Sequence, residues 1–330
     1  MSSAIAGLGA ALPEKVLDNA ELAARLDVTE EWIFGRTGIS ERRIAGDDQT
    51  TATLATDAGR LALKAASVEA SDLDYVIVAT CTPDYLLPST AALVGAELGA
   101  VGVAAFDLNA ACSGFLYGLT QASALIDAGT AKRVLVCGAD VLSRITDYSD
   151  PKSSVLFGDG AGAAVMQRIE GESRVGPFLL HAEGSQPELL YVPPETGVIH
   201  MEGREVYKRA VEGMTASVRA ILLTAGIAAS DVDLLVAHQA NARILRAVGE
   251  RLGFPTEKLM TNIARVGNTS GASIPLALAD ALANGRLKEG DRVVLTAFGA
   301  GFTWGAGVVR WGTGSNDNVD LVLTGKAVHD

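Results

Sequence analysis

Residues 56–78 read TDAGRLALKAASVEASDLDYVIV and residues 215–236 read TASVRAILLTAGIAASDVDLLV, two copies of one pattern displaced by 159 positions. Thr56 and Thr215, Arg60 and Arg219, Ala66 and Ala225, Ser71-Asp72 and Ser230-Asp231, and Asp74 and Asp233 all stand at that spacing. The same offset relates Arg133-Val-Leu-Val136 to Arg292-Val-Val-Leu295. A third echo, Phe157-Gly-Asp-Gly-Ala161 against Phe298-Gly-Ala-Gly-Phe302, falls at 141, as an 18-residue insertion in the first copy between about 140 and 156 would produce. Self-similarity at a fixed offset means one folding unit used twice, so the chain is held to an architecture of two like halves.

Each half has the same grammar. An Ala/Leu-rich helix runs into a short Asp-containing turn and then an apolar run, Tyr75–Thr80 or Leu234–Ala237. Such short continuous apolar runs suit strands covered on both faces. A second helix follows, at about 112–128 and about 271–284, and then another buried strand at 133–138 and 292–297. The expected fold is α/β: two pseudo-symmetric, βαβ-containing halves in a layered arrangement around a mixed sheet. The halves span 1–170 and 171–311, and the polar stretch GTGSNDNVD after Trp311 reads as the start of a mobile tail over 312–330.

Composition narrows the function classes. With 330 residues and 48% hydrophobic side chains there is ample chain for a large core. The net charge of −12 argues against nucleic-acid or anionic-membrane binding, so an acidic partner must meet a local basic patch. No apolar run reaches 18 residues and no secretory leader pattern opens the chain. Cys81, Cys112 and Cys137 match no metal-ligand spacing and cannot all pair, which suits a reducing, cytoplasmic setting and no metal. Gly7-Leu-Gly9 lacks the third glycine of a dinucleotide fingerprint, with Leu12 in its place and Pro13 next.

Equivalent positions of the two halves should meet at the pseudo-two-fold axis. Cys112 and Gly271 are such a pair. Cys112 follows an apolar strand and starts a helix, where unpaired N–H groups and the macrodipole favour a thiolate. His238 comes at the tip of a buried strand in VAHQANARI, and Asn268 comes in VGNTSGAS just before the helix matching that of Cys112. The bland readings differ in weight: Cys81 and Cys137 read as packing within apolar strands, His181, His200 and His329 have no place defined by the repeat, and Asn268 alone could be a turn residue. The glycine clusters Gly158–Gly162 and Gly299–Gly301 read as paired close-packed turns near the axis that can present N–H groups to an oxyanion.

The motifs EEWIFGRTGISERRI (30–44), FDLNAACSGF (106–115), FGDGAGAAV (157–165), HQANARI (238–244), GNTSGASIPLAL (267–278) and FGAGFTWG (298–305) together resemble the β-ketoacyl-[acyl-carrier-protein] synthase III family of condensing enzymes over residues 1–311. The resemblance implies a thiolase-like fold, a homodimer, and no cofactor beyond the substrates acyl-CoA and malonyl-acyl carrier protein. It implies Cys112 as nucleophile, His238 and Asn268 as the decarboxylation pair, and the main-chain N–H groups of Cys112 and Ala300 as the oxyanion hole. Trp32 and Arg36 would meet the CoA nucleotide, Gly203 and Asn241 would border the pantetheine tunnel, Leu87 would floor the acyl pocket, and Lys208, Arg209, Arg243 and Arg246 would form the patch for the carrier protein.

Two positions depart from the family pattern. Pro151, followed by Lys152, stands where an Arg usually covers the adenine, and Leu87 stands where many members have Phe, which leaves room for a branched or medium acyl group. The expected reaction is decarboxylating condensation of an acyl-CoA primer with malonyl-acyl carrier protein through an acyl-cysteine, initiating fatty-acid or polyketide synthesis. The alternative is acyl transfer to an oxygen or nitrogen nucleophile without decarboxylation, for which His238 and Asn268 would be less needed.

Overall fold

A computed structural model describes residues 1–314 and 321–323. The first half holds β1 (Ser2–Ala11), β2 (Val16–Asp18), α1 (Asn19–Leu26), α2 (Glu30–Thr37), β3 (Glu41–Arg43), α3 (Thr51–Ala66), β4 (Tyr75–Ala79), α4 (Thr90–Leu98), β5 (Ala104–Leu108), α5 (Gly114–Asp127), β6 (Arg133–Asp140) and β7 (Gly160–Ile169). The second holds β8 (Val175–Ala182), β9 (Leu190–Tyr191), β10 (His200–Met201), α6 (Gly203–Ala225), β11 (Leu234–Ala237), α7 (Ala242–Leu252), α8 (Ile263–Val266), α9 (Ser273–Ala283), β12 (Arg292–Gly299), β13 (Thr303–Arg310) and β14 (Leu321–Leu323). Strand β14 lies parallel to β1; the remainder of the segment 315–330, read from sequence as part of a tail, lies outside the described residues.

Two mixed sheets carry the fold, ordered β14-β1-β7-β6-β4-β5 and β11-β12-β13-β8. Their strands alternate side chains between two cores, as a pleated strand must when both faces are covered. Ile77 and Leu295 point into a central core with Phe115 and Leu119 of α5 and Ile274 and Leu278 of α9. Val76 and Val78 face α3 on one outer side, while Leu235 and Val294 face α6 on the other. The result is the layered α/β arrangement expected, with α5 and α9 between the sheets.

The repeat has a physical counterpart at each step. The Asp74 carboxylate accepts the Arg133 amide at 3.0 Å and that of Asp233 accepts the Arg292 amide at 2.8 Å, while Arg133 pairs with Asp72 and Arg292 with Asp231. The equivalent helix ends Ser67 and Gly226 both adopt positive φ, 52° and 64°. Even β5 has a trace of a partner: the second half keeps one parallel bridge, Leu235 to Leu259.

The glycine-motif echo at offset 141 is corrected. Asp140 pairs with Gly160 across one β-hairpin and Gly299 with Thr303 across the other, so Gly160 corresponds to Thr303 at an offset of 143. Phe157 lies ahead of β7 in the inserted loop, whereas Phe298 lies within β12. Similar small residues were selected in both places by close packing, not by equivalence: a Cβ on Gly162 would meet Pro275 at 2.7 Å.

Candidate active site

At the centre of the molecule the two copies present matching turns. Ala111–Ser113 and Ser270–Ala272 each form one turn of 3-10 helix leading into α5 and α9, and the two turns pack on each other. Ala111 and Ser270, 159 positions apart, both have positive φ, 45° and 49°. Asn109 Oδ1 accepts the Ala111 N–H at 3.2 Å, and Asn268 Oδ1 accepts the Ser270 N–H at 3.0 Å. With its oxygen fixed on the backbone, Asn268 keeps its Nδ2 hydrogens for the cavity it lines.

The copies differ in what occupies the turn. Cys112 stands in the first and Gly271 in the second. The buried Asp140 carboxylate accepts the Gly271 N–H at 3.0 Å, along with Thr80 Oγ1, the Cys81 N–H and Thr82 Oγ1. The residue equivalent to Asp140 is Gly299, and a Cβ there would stand 2.7 Å from the Cys112 nitrogen. The missing side chain lets the end of β12 approach the Cys112 turn and brings Ala300 beside it.

Cys112, His238, Asn268 and Ala300 line one cavity of about 1200 Å³. Its inner wall comes from the loop inserted between β6 and β7, through Leu142, Ile145, Val155, Leu156 and Phe157. Two buried side chains help to hold that loop. The buried Arg42 guanidinium donates to Val155 O at 2.9 Å as well as to Leu17 O and Asn19 Oδ1, and Asp159 accepts from Ala45 N, Ser143 N and Ser143 Oγ. The cavity mouth carries Arg36, Lys152, Arg204 and Arg243, with Glu202 among them.

Burial sets the protonation states. His238 is 1% exposed, and desolvation lowers its pKa to about 3, so the imidazole is neutral. Among the described residues its Nδ1 has no hydrogen-bond partner. Desolvation pushes the Cys112 thiol up to about 12, with the Ser270 hydroxyl acting in the opposite direction. The thiolate character expected of a cysteine at a helix start is opposed here by burial, which favours the neutral thiol.

Several positions named from sequence fall at the cavity and others do not. Trp32, Arg36, Gly203 and Asn241 border it. The Arg36 guanidinium lies over the Trp32 ring at 4.6 Å, and Asn241 uses its amide to cap α7 and to reach Arg36 O. Arg243 lies at the mouth, and Lys208 and Arg246 are exposed. Arg209 does not join them as a free charge, because its guanidinium bonds Gln186, pairs with Glu183 and covers Phe302. Leu87 stands outside the cavity of its own chain, 84% exposed. Cys81 is likewise not inside a strand. It follows β4, donates its thiol to Asp140 and lines the cavity; Cys137 is buried in β6. Sequence reasoning also passed over Ser270 and Asp140, although both become visible once the 159-residue offset is applied to Ala111 and Gly299.

Among the described residues no three His, Cys, Asp or Glu converge as a metal site, and no helix is long and apolar enough to cross a membrane. Residues 106–184 match the family 3-oxoacyl-[acyl-carrier-protein (ACP)] synthase III, and residues 222–311 match its C-terminal counterpart. A β-ketoacyl-[acyl-carrier-protein] synthase III of Erythrobacter litoralis (strain HTCC2594) is 49% identical over 318 residues, 94% of this chain and 99% of its own. The crystal structure of 3-oxoacyl-[acyl-carrier-protein] synthase III from Aquifex aeolicus VF5 matches with a TM-score of 0.92 at 47% identity, over 94% of this chain and 100% of that one. The priming β-ketosynthase of the R1128 polyketide biosynthetic pathway matches with a TM-score of 0.90 at 33% identity, over 94% and 97%.

Proposed function

The chain belongs to the β-ketoacyl-[acyl-carrier-protein] synthase III family, and on that premise we propose that it condenses an acyl-CoA primer with malonyl-acyl carrier protein to give β-ketoacyl-acyl carrier protein. The observation that carries this reading is the convergence of Cys112 from one half with His238 and Asn268 from the other on a single cavity. The segments 1–170 and 171–311 thus act as one catalytic unit.

Cys112 attacks the thioester carbonyl, and the N–H groups of Cys112 and Ala300 receive the oxyanion. The C–S bond to CoA breaks, the thiol proton leaves with the CoA sulfur, and an acyl-cysteine remains. Malonyl carrier protein then loses CO₂, and the enolate oxygen is held by His238 Nε2 and Asn268 Nδ2. An uncharged imidazole suits that role, because its Nε2-protonated tautomer donates a hydrogen bond to the enolate without bringing a charge that the buried site would have to solvate. The carbanion bonds the acyl carbon and expels the Cys112 sulfur. Each step draws only on side chains and main-chain donors of this chain, with no cofactor. The apolar wall from Leu142 to Phe157 keeps water from the acyl-cysteine.

Trp32, Arg36 and Lys152 serve the CoA nucleotide at the mouth, with Lys152 taking over charge in the absence of an Arg at 151. Gly203 and Asn241 border the pantetheine path. Lys208, Arg243 and Arg246 form the basic face for the acidic carrier protein. The working form is a homodimer in the cytoplasm. Three free thiols fit a reducing compartment, and the edge strand β5 supports pairing. Its one charge, Asp107, is turned onto the Thr90 and Ala91 amides of α4, so nothing charged guards that edge. Leu86 and Leu87, 94% and 84% exposed, lie ahead of α4, and Leu87 reaches an acyl pocket only from a second copy.

Incubation with a panel of acyl-CoAs and malonyl carrier protein tests the reading. Intact mass should show an acyl adduct on Cys112, absent in Cys112→Ala, and CO₂ should appear with the β-ketoacyl product. Transfer of the acyl group without CO₂ would decide for the alternative chemistry.

A further inference from the structure

Cys112 and Ala300 come from different halves: Cys112 stands in the turn after β5, and Ala300 in the loop of the β12–β13 hairpin, whose last ladder pair is Gly299 with Thr303. The missing side chain of Gly299 gives the two turns room to approach, but room alone does not fix a distance. Two hydroxyls reach across. Thr303 Oγ1 donates to Ala110 O at 2.8 Å, with Ala300 O as second acceptor at 3.2 Å, one proton shared in a three-centre bond. In the other direction the fully buried Ser113 Oγ donates to Thr303 O at 3.0 Å. The two bonds bracket Cys112 in sequence, and neither draws on the N–H of Cys112 or of Ala300. The symmetry-related junction, between the Gly271 turn and the β6–β7 pair, has Ala272 in place of Ser113 and Gly160 in place of Thr303. It makes the same turn without either hydroxyl and is tied instead through the Gly271 N–H, which Asp140 accepts at 3.0 Å. The hydroxyl strap therefore stands only at the junction that carries the sulfur.

We propose that Thr303 is a positioning residue for the oxyanion hole: its hydroxyl, with Ser113 as counterpart, sets the spacing of the Cys112 and Ala300 N–H groups without spending either of them. The proposal rests on the reading of Cys112 as nucleophile and of those two N–H groups as donors to the oxyanion. In acylation the sulfur adds to the thioester carbonyl and the C=O electron pair moves onto oxygen. The pair returns as the C–S bond to CoA breaks and the thiol proton leaves with the CoA sulfur. Two donors stabilise that transient charge only when both stand within hydrogen-bond distance of the place where it develops, so their mutual spacing governs the rate. Thr303 keeps its proton throughout and forms no bond to the substrate. Its hydroxyl is also separable from the fold, because Ala110 O accepts the Ser113 N–H at 3.1 Å as well and keeps a donor when the strap is removed.

The test compares two reactions of the same sulfur. Acylation by acyl-CoA passes through an oxyanion, whereas alkylation by iodoacetamide displaces iodide from a saturated carbon and needs no oxyanion hole. Both are followed on Cys112 by peptide mapping, so that Cys81 is scored separately. In Thr303→Val the acylation rate at saturating acyl-CoA should fall about ten- to a hundredfold, with the half-saturating concentration and the alkylation rate unchanged. Thr303→Ser keeps the hydroxyl and loses the methyl, and it should recover most of the rate. Ser113→Ala, which copies Ala272, should show the same split in smaller degree and carries the test if Thr303→Val does not fold. Acylation at the parent rate in Thr303→Val and Ser113→Ala, or acylation and alkylation falling together, would overturn the proposal and reduce Thr303 to a turn residue. Failure of the parent protein to take an acyl mass on Cys112 from any acyl-CoA is a separate outcome, and it would overturn the nucleophile assignment itself.

Discussion

Gly299 and Cys112 come from different copies of the repeat, yet a Cβ on Gly299 would stand 2.7 Å from the Cys112 nitrogen and 3.1 Å from that of Ser113. The contact is with main chain, which cannot swing aside as a flexible side chain would. Gly299→Ala must therefore displace the Cys112 turn from Ala300. Overpacking of this kind costs about 1–3 kcal/mol, and misplacing reacting groups by an ångström costs roughly a hundredfold in rate. The expected outcome is a modest fall in Tm with a far larger fall in the rate of Cys112 acylation, followed by intact mass.

Acid should destabilise the protein through His238. Its pKa is about 3 in the fold against 6.5 for a free imidazole. Between those values the unfolded chain binds a proton that the native state does not, so stability falls as pH drops through that window, by up to about 1.4 kcal/mol per pH unit. Urea midpoints at pH 7, 6 and 5 should decline more steeply in the parent than in His238→Gln. Parallel slopes would show that another group carries the dependence. Condensation itself should show no histidine ionisation between pH 6 and 8.

Arg42 ties β2 and α1 to the cavity wall through three acceptors. Replacing it with Met fills most of the volume but leaves those acceptors unsatisfied in a buried place, which costs about 3 kcal/mol or more in sum. Urea denaturation should register that loss. Because Val155 O is one of the acceptors, the KM for acyl-CoA should rise as well.

If two copies join along β5, the loop bearing Leu86 and Leu87 is covered in the assembly. The double substitution Leu86→Asp, Leu87→Asp should then shift sedimentation from dimer to monomer while the monomer keeps its far-UV spectrum. A dimer that persists in the double variant would locate the interface elsewhere.

The symmetric part of this molecule was legible in the sequence because it rests on local rules. Asp74 and Asp233 mark the same turn by capping the same strand, and Ser67 and Gly226 mark the same helix end. Cys112, His238 and Asn268 could be named because each sits at the end of an element that the repeat defines. The asymmetric part was hidden. Nothing local in 141–159 says that Val155 to Phe157 line a cavity, since that depends on the buried Arg42 more than a hundred residues earlier. Cys81 read as a strand residue because the apolar run does not reveal that the strand stops at Ala79. The partners of Arg209, Glu183 and Gln186, come from a loop whose path the sequence does not disclose, and nothing local marks Leu87 as lying outside its own chain's cavity.

The pairing of Asp140 with Gly271 means that duplication has left this chain with one working centre and no simple route to two. A sulfur installed by Gly271→Cys would begin from a Cβ 3.2 Å from Ala79 O and 3.3 Å from Asp140 Oδ2. Its main-chain donor is already taken by that carboxylate, so it would lack both room and an oxyanion site, and its anion would face a like charge. The twin backbone endures as a scaffold, while the division of labour between its halves is not undone by the one substitution that would copy the sulfur across.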